Sequence, residues 1–171
     1  IPFPGETGNV LVVDADEDGS EDLIAFRPAR CDDGSVSSGL IALAMGQGDG
    51  QFTAGAILMT DSSYDQLFAL DVDQDGHVDL LGARSLDCGG GPAAGIDALF
   101  GGGTGSFEAP QSVGFTGRLT VADMNGDSLK DLIISGINTS VAFGLATGGF
   151  TPPIVATTIV GAVIGATDFD L

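Results

Sequence analysis

Positive charge is almost missing from this chain. Of 171 residues only 5 are Lys or Arg, against 24 Asp and Glu, and the formal charge is −19. Such an acidic domain is a poor partner for nucleic acid or for an anionic membrane surface. Trp is absent, and Tyr and His occur once each. That leaves little for a site built on basic, imidazole or phenol side chains. No run is long enough to span a bilayer: the longest apolar stretch, residues 154–166, is interrupted by Thr157 and Thr158 and reads as two strands. No signal peptide or lipidation motif is legible. The chain opens on Ile1, not Met, and reads as cut from something longer. There are two cysteines, Cys31 and Cys88, each seventeen residues after the first aspartate of its own repeat. Paired and free thiols both remain open, because pairing cannot be read from sequence and needs a Cα separation of ~4.4–6.8 Å.

What the chain has in excess is Gly, 28 residues, and Asp at fixed spacing. Gly without a collagen-like period implies many tight turns between short strands. One aspartate-rich loop recurs three times. It reads Asp14-Ala-Asp16-Glu-Asp18-Gly19-Ser20-Glu-Asp22, then Asp71-Val-Asp73-Gln-Asp75-Gly76-His77-Val-Asp79, then Asp123-Met-Asn125-Gly126-Asp127-Ser128-Leu129-Lys-Asp131. Side-chain oxygens stand at loop positions 1, 3, 5 and 9 in each. So many carboxylates within nine residues repel one another unless a cation lies between them, and hard divalent cations such as Ca²⁺ take six to eight oxygen ligands. The reading predicts three Ca²⁺ sites, which would bring the net charge to about −13. A fourth loop opens at Asp168-Phe-Asp170 as a truncated site.

The first aspartates lie 57 and 52 residues apart, and each loop is embedded in the same unit. Short apolar runs precede it at residues 10–13, 67–70 and 119–122, and others follow at residues 23–26, 80–83 and 132–135. Their length and their β-branched and aromatic content predict strands. A third strand and a turn follow: Met45-Gly46-Gln-Gly-Asp-Gly50-Gln-Phe52, Phe100-Gly101-Gly-Gly-Thr-Gly105-Ser-Phe107 and Phe143-Gly144-Leu-Ala-Thr-Gly148-Gly-Phe150. Here Gly is expected to supply the positive φ of a hairpin turn, and Phe to begin a fourth strand and anchor it in the core.

Four strands joined by short turns make one antiparallel sheet, which cannot bury both faces alone. Radial stacking of such sheets gives a β-propeller of roughly four to eight blades. The fold predicted is therefore all-β: a partial propeller of about three blades plus the first strand of a fourth, with repeats over residues 9–60, 66–115, 118–157 and 159–171 of a single domain. Three blades do not close a ring, so further blades of the same or another chain are expected as partners. The segment between second and third strands is short at residues 136–140 but long at residues 27–39 and 84–95, where a surface insertion and a binding loop are both open.

These motifs resemble the FG-GAP or VCBS repeats of integrin alpha-subunit propellers and of many secreted bacterial proteins. The likeness rests on the three aspartate loops, on Phe100-Gly101 and Phe143-Gly144, and less closely on Met45-Gly46. It covers nearly the whole chain. The resemblance implies that the loop is a calcium site in the hairpin between a blade's first and second strands. It also implies that position 7 (Ser20, His77 and Leu129) contributes a backbone carbonyl. The third loop departs from the pattern, with Ser128 in place of Gly19 and Gly76, with Gly126 two residues earlier, and with Asn125 removing one charge. It is expected to be strained at Ser128 and to be the weakest site.

Other motifs fit less well. An EF-hand needs Glu at loop position 12 and flanking helices, but position 12 is Ala25, Gly82 or Ile134 and the flanks are strand-like. A glycosidase needs a carboxylate pair free of other duties, and the metal loops account for every acidic cluster. Residues 101–105 lie in a hairpin turn rather than before a helix, so they form no phosphate loop. His77 is expected to face solvent. Calcium is expected to be structural: at a Kd of ~10⁻⁴ M and about 1 mM Ca²⁺, each site contributes ~1.4 kcal/mol, and three contribute ~4 kcal/mol. Sites of that affinity fill outside the cytosol, so an extracellular or periplasmic setting is expected. The function anticipated is a non-catalytic segment for adhesion or for protein or carbohydrate binding. Two alternatives are the propeller portion of a secreted polysaccharide lyase or phospholipase-type hydrolase, and a structural spacer.

Overall fold

The computed structural model describes residues 8–28, 30–32, 35–37, 39–60, 64–84 and 94–157. The fold is all-β, with no helix among those residues. Three antiparallel four-stranded sheets follow one another along the chain. The first orders β1 (Asn9–Val13), β2 (Asp22–Arg27), β5 (Gly39–Gly46) and β6 (Phe52–Thr60). The second comprises β7 (Tyr64–Leu70), β8 (Asp79–Arg84), β9 (Gly95–Leu99) and β10 (Gln111–Ser112). The third comprises β11 (Arg118–Ala122), β12 (Asp131–Ser135), β13 (Thr139–Ala142) and β14 (Ile154–Thr157). Each is a meander in chain order except for one interruption. Within the first long connection a small hairpin pairs β3 (Arg30–Asp32) with β4 (Ser35–Ser37). Sequence reasoning treated that segment as loop alone.

The three equivalent loops connect the first and second strands of each sheet, and the registers coincide. Val13 pairs with Asp22, Leu70 with Asp79, and Ala122 with Asp131. The ninth loop residue is thus also the first residue of the second strand.

The core shows why central strands read as continuous apolar runs. Successive strand residues point to opposite faces. Leu80 and Leu81 are consecutive and both wholly buried. Leu80 packs with Ile24, Phe26, Ile41 and Leu43 of the first sheet. Leu81 packs with Leu119, Leu132 and Ile134 of the third. The middle sheet is therefore covered on both faces, as stacked layers require. The first strands lie close together, β7 adjoining both β1 and β11. Gln66 of β7 clamps Leu119 of β11 from both sides of its peptide, Nε2 donating to Leu119 O at 2.9 Å and Oε1 accepting from Leu119 N at 2.8 Å.

The fourth strands differ from expectation. Phe52 does open β6, but Phe107 and Phe150 form only single bridges, to Gly101 and Gly144, and the strands proper begin at Gln111 and Ile154. Pro110, Pro152 and Pro153 stand in between. Proline has no N–H for the ladder, which delays pairing until the chain is past it.

Candidate metal centres

Each loop is held by the same hydrogen bonds. The carboxylate at position 1 accepts the N–H of position 6: Asp14 from Gly19 (3.0 Å), Asp71 from Gly76 (3.0 Å), Asp123 from Ser128 (2.9 Å). Position 3 accepts from position 5: Asp16 from Asp18, Asp73 from Asp75, Asn125 from Asp127. Position 5 accepts from position 7: Asp18 from Ser20, Asp75 from His77, Asp127 from Leu129. The short Asp side chain reaches back to nearby N–H groups, which is why it suits this winding.

Position 9 has a larger part. Asp22, Asp79 and Asp131 have no solvent exposure. In each, Oδ2 accepts the N–H of position 2, from Ala15 (2.8 Å), Val72 (2.8 Å) and Met124 (2.7 Å). Oδ1 accepts the N–H of the first turn glycine, which ends the third strand or follows it by two residues: Gly46 (2.7 Å), Gly101 (2.8 Å) and Gly144 (2.9 Å). One carboxylate thus ties loop, second strand and third strand together. Each oxygen keeps a further lone pair for a cation. Burial raises the Asp79 pKa, opposed by the N–H groups of Gly101 and Val72.

The same geometry corrects the role of the first turn glycine. Gly46, Gly101 and Gly144 do not adopt positive φ. A Cβ on any of them would run into a position-8 carbonyl, of Glu21, Val78 or Lys130 respectively. Close backbone approach, not handedness, demands Gly there. Positive φ belongs to the later turn glycines, Gly50 (+84°), Gly105 (+67°) and Gly148 (+82°).

The loops then part company. In the first, Asp14, Asp16 and Asp18 bring carboxylate oxygens within 4.8 Å of one another, and in the second Asp71, Asp73 and Asp79 do so. The third, with Asn125, forms no such trio among the described residues. In the first two loops the position-1 Oδ1, of Asp14 and of Asp71, is buried with no hydrogen-bond partner. In the third, Asp123 Oδ1 accepts from Gly126 N at 2.7 Å, and Asn125 Nδ2 donates to Asp127 Oδ2 at 2.9 Å. The pKa directions follow. Desolvation, then the like charges of Asp18, Asp22 and Asp14, raise Asp16 against the opposing N–H of Asp18. Desolvation also acts to raise Asp123, but N–H donors from Gly126, Ser128, Asn125 and Asp127 together outweigh it and hold it low.

At position 7, Ser20, His77 and Leu129 sit with their N–H on the position-5 carboxylate. The His77 side chain is not simply solvent-facing. Its Nδ1 lies 2.6 Å from Glu17 Oε1 of the first loop, a hydrogen-bonding contact between loops of neighbouring sheets that becomes an ion pair when the ring is protonated. Asp168, Asp170 and Cys88 lie outside the described residues.

Sequence reasoning missed a buried polar set at the opposite end of the middle sheet. Tyr64 donates to Asp97 Oδ2 (2.9 Å), and Arg84 Nε lies 2.8 Å from the same oxygen. The arginine contact is an ion pair and not an aligned hydrogen bond, since its N–H is not directed along the contact. The Tyr64 ring fills the space over Gly82. No local spacing signals this set, because its members come from three strands.

No protein-family model matches the chain, and no curated protein matches it. Among the described residues no helix is long and apolar enough to cross a membrane.

Proposed function

We propose that this chain is a calcium-stabilised segment of a β-propeller, non-catalytic and extracellular, that serves adhesion or protein or carbohydrate recognition. The observation that carries the metal reading is the buried, unpartnered Oδ1 of Asp14 and of Asp71. An acceptor buried without a partner costs about 1–3 kcal/mol, more when charged, and a cation at that point removes the cost. Oxygens of Asp16 and Asp18 gather with Asp14 in one loop, and of Asp73 and Asp79 with Asp71 in the other; the resemblance implies that Asp22, Asp75 and the carbonyls of Ser20 and His77 complete the sets. An all-oxygen set of this kind suits Ca²⁺. The third loop is the weakest site in this reading, because Gly126 N–H and the Asn125 amide already do part of a cation's work. The propeller reading draws support from the two-sided burial of the middle sheet and from first strands that adjoin.

The Tyr64–Asp97–Arg84 set is what the hydrolase or lyase alternative would call on. Its charges face one another, with Arg84 and Asp97 side chains only 10% and 6% exposed, so the non-catalytic reading is favoured.

Thermal melts in millimolar Ca²⁺ and in EDTA test this. Two filled sites of ~10⁻⁴ M affinity contribute ~3 kcal/mol, or a Tm rise of roughly 6–12 °C. Asp14→Asn and Asp71→Asn should each remove about half of the rise, and Asp123→Asn much less. No rise in Ca²⁺, or a rise abolished by Asp123→Asn alone, would overturn the assignment.

A further inference from the structure

Among the described residues, two routes join the first aspartate loop to the second. One is a relay of hydrogen bonds through a glycine turn. Asp79, at position 9 of the second loop, accepts from Gly101 N (2.8 Å), at the head of its own sheet's turn. Further along that turn, Gly105 N donates to Ala15 O (3.0 Å), at position 2 of the first loop. Ala15 N in turn donates to Asp22 Oδ2 (2.8 Å), at position 9 of the first loop. The turn also lies against position 3, for a Cβ on Gly105 would come within 3.4 Å of Asp16 Cβ. The same relay is built one sheet later. It runs from Asp131 through Gly144 N (2.9 Å) and Gly149 N (2.7 Å) to Val72 O, and from Val72 N to Asp79.

The other route joins only the first two loops. Glu17 stands at position 4, between Asp16 and Asp18. His77 stands at position 7, its N–H held by Asp75 (2.8 Å), and its Nδ1 lies 2.6 Å from Glu17 Oε1. The glycine turn sits over this contact as well, since a Cβ on Gly103 would meet His77 Nδ1 at 2.7 Å and Glu17 Oε1 at 2.9 Å. In the next pair of loops Gln74 and Leu129 hold the same positions. Leu129 has no polar side chain to offer, and Gln74 Nε2 donates to Asp71 O of its own loop (3.1 Å).

We propose that the first and second loops bind calcium with positive cooperativity, coupled through the second sheet's glycine turn and the Glu17–His77 contact. Asp79, once fixed by a cation in the second loop, holds Gly101 and with it the turn. Gly105 N–H then steadies Ala15, and Ala15 N–H steadies Asp22, before the first loop has closed on its own ion. The first loop therefore loses less freedom on binding, and linkage makes the benefit mutual. Repulsion between the two ions opposes this and is screened by salt around exposed loops. The coupling rests on the calcium assignment of these two loops proposed above.

Calorimetric titration of the metal-free 171-residue chain with CaCl₂ provides the test. Asp14→Asn leaves the second loop to bind by itself, Asp71→Asn leaves the first, and the third loop is common to all three proteins. Wild-type half-saturation should fall at least about twofold below the geometric mean of the two variants' values, the square root of a roughly fivefold coupling. A coupled pair also loses more than half of its calcium-dependent stabilisation when either site is removed. Glu17→Gln with Gly105→Asn cuts both routes and spares every proposed ligand. Asn tolerates the left-handed turn, and its Cβ meets the flexible Met45 methyl at 2.5 Å, which wedges the turn off the first loop. This double variant should fill both loops without cooperativity, and Glu17→Gln alone, at an exposed contact, should narrow the difference. Amide exchange gives a readout that needs no turn variant: in Asp14→Asn, calcium should slow the Ala15 and Gly105 amides, which lie outside the second loop. A wild-type isotherm that the two single-site affinities reproduce would overturn the coupling and leave the calcium assignment standing. No calcium uptake by the wild type would overturn both. Unchanged Ala15 and Gly105 exchange, or a double variant as cooperative as wild type, would overturn the proposed route.

Discussion

Ser128 holds a φ of +72°, a conformation that costs an L side chain roughly 1–2 kcal/mol. Its loop is not exceptional in this. Every loop has two left-handed residues, at positions 4 and 6: Glu17 and Gly19, Gln74 and Gly76, Gly126 and Ser128. Each loop fills one with Gly and strains the other. The sequence shows Gly at position 6 twice and then displaced by two residues, which reads as a departure in the third loop alone. The backbone shows an exchange between two equivalent positions. Ser128→Gly should therefore stabilise the protein by about 0.5–1 kcal/mol, after allowing for the extra freedom of Gly in the unfolded chain. A urea titration with an unchanged m-value checks it, and a loss of stability would show that the strain lies elsewhere.

At the level of the elements, the loops brace neighbouring sheets. Glu17 and His77 come from different sheets and meet at 2.6 Å. The hydrogen bond and charge of Glu17, with the further charges of Asp75 and Asp71, raise the His77 pKa against a smaller opposing desolvation. A raised folded-state pKa means that the pair's contribution is complete below the ordinary value near 6.5 and is lost as pH rises through the folded value. In EDTA, wild-type Tm should fall across that window more than the Tm of Glu17→Gln does. The pair is exposed, so the difference is small and shrinks in salt. Equal slopes would mean that the contact carries no coupling.

For the molecule as a whole, two-sided burial of the middle sheet decides where damage matters. Leu81→Ala opens a cavity between the second and third sheets and should cost about 2–5 kcal/mol. Val12→Ala, at a site 63% exposed on the first sheet, should stay within about 0.5 kcal/mol. Paired urea unfolding curves separate the two. A mild Leu81 variant would show that the sheets are not stacked as tightly as their burial implies.

Local order was legible in the chain because it has local causes. The length and the β-branched and aromatic content of short apolar runs placed the first two strands of every sheet, and the repetition of Asp or Asn at positions 1, 3, 5 and 9 placed three equivalent hairpin loops. These depend on spacing within a dozen residues, where side-chain period and backbone reach are set by covalent geometry. Tertiary structure decided what depends on distant segments meeting. It turned position 9 into a clamp on the third strand, gave Gly46, Gly101 and Gly144 a carbonyl to avoid, joined His77 to Glu17, and gathered Tyr64, Arg84 and Asp97 from three strands. It also gave the third loop's departure in sequence a physical form, since only folded loops reveal that Asp14 and Asp71 each bury an oxygen without a partner while Asp123 does not. Hydrogen-bond satisfaction depends on which groups the folded backbone brings within reach of an atom, even where the partner, as Gly126 is for Asp123, lies close by in the chain.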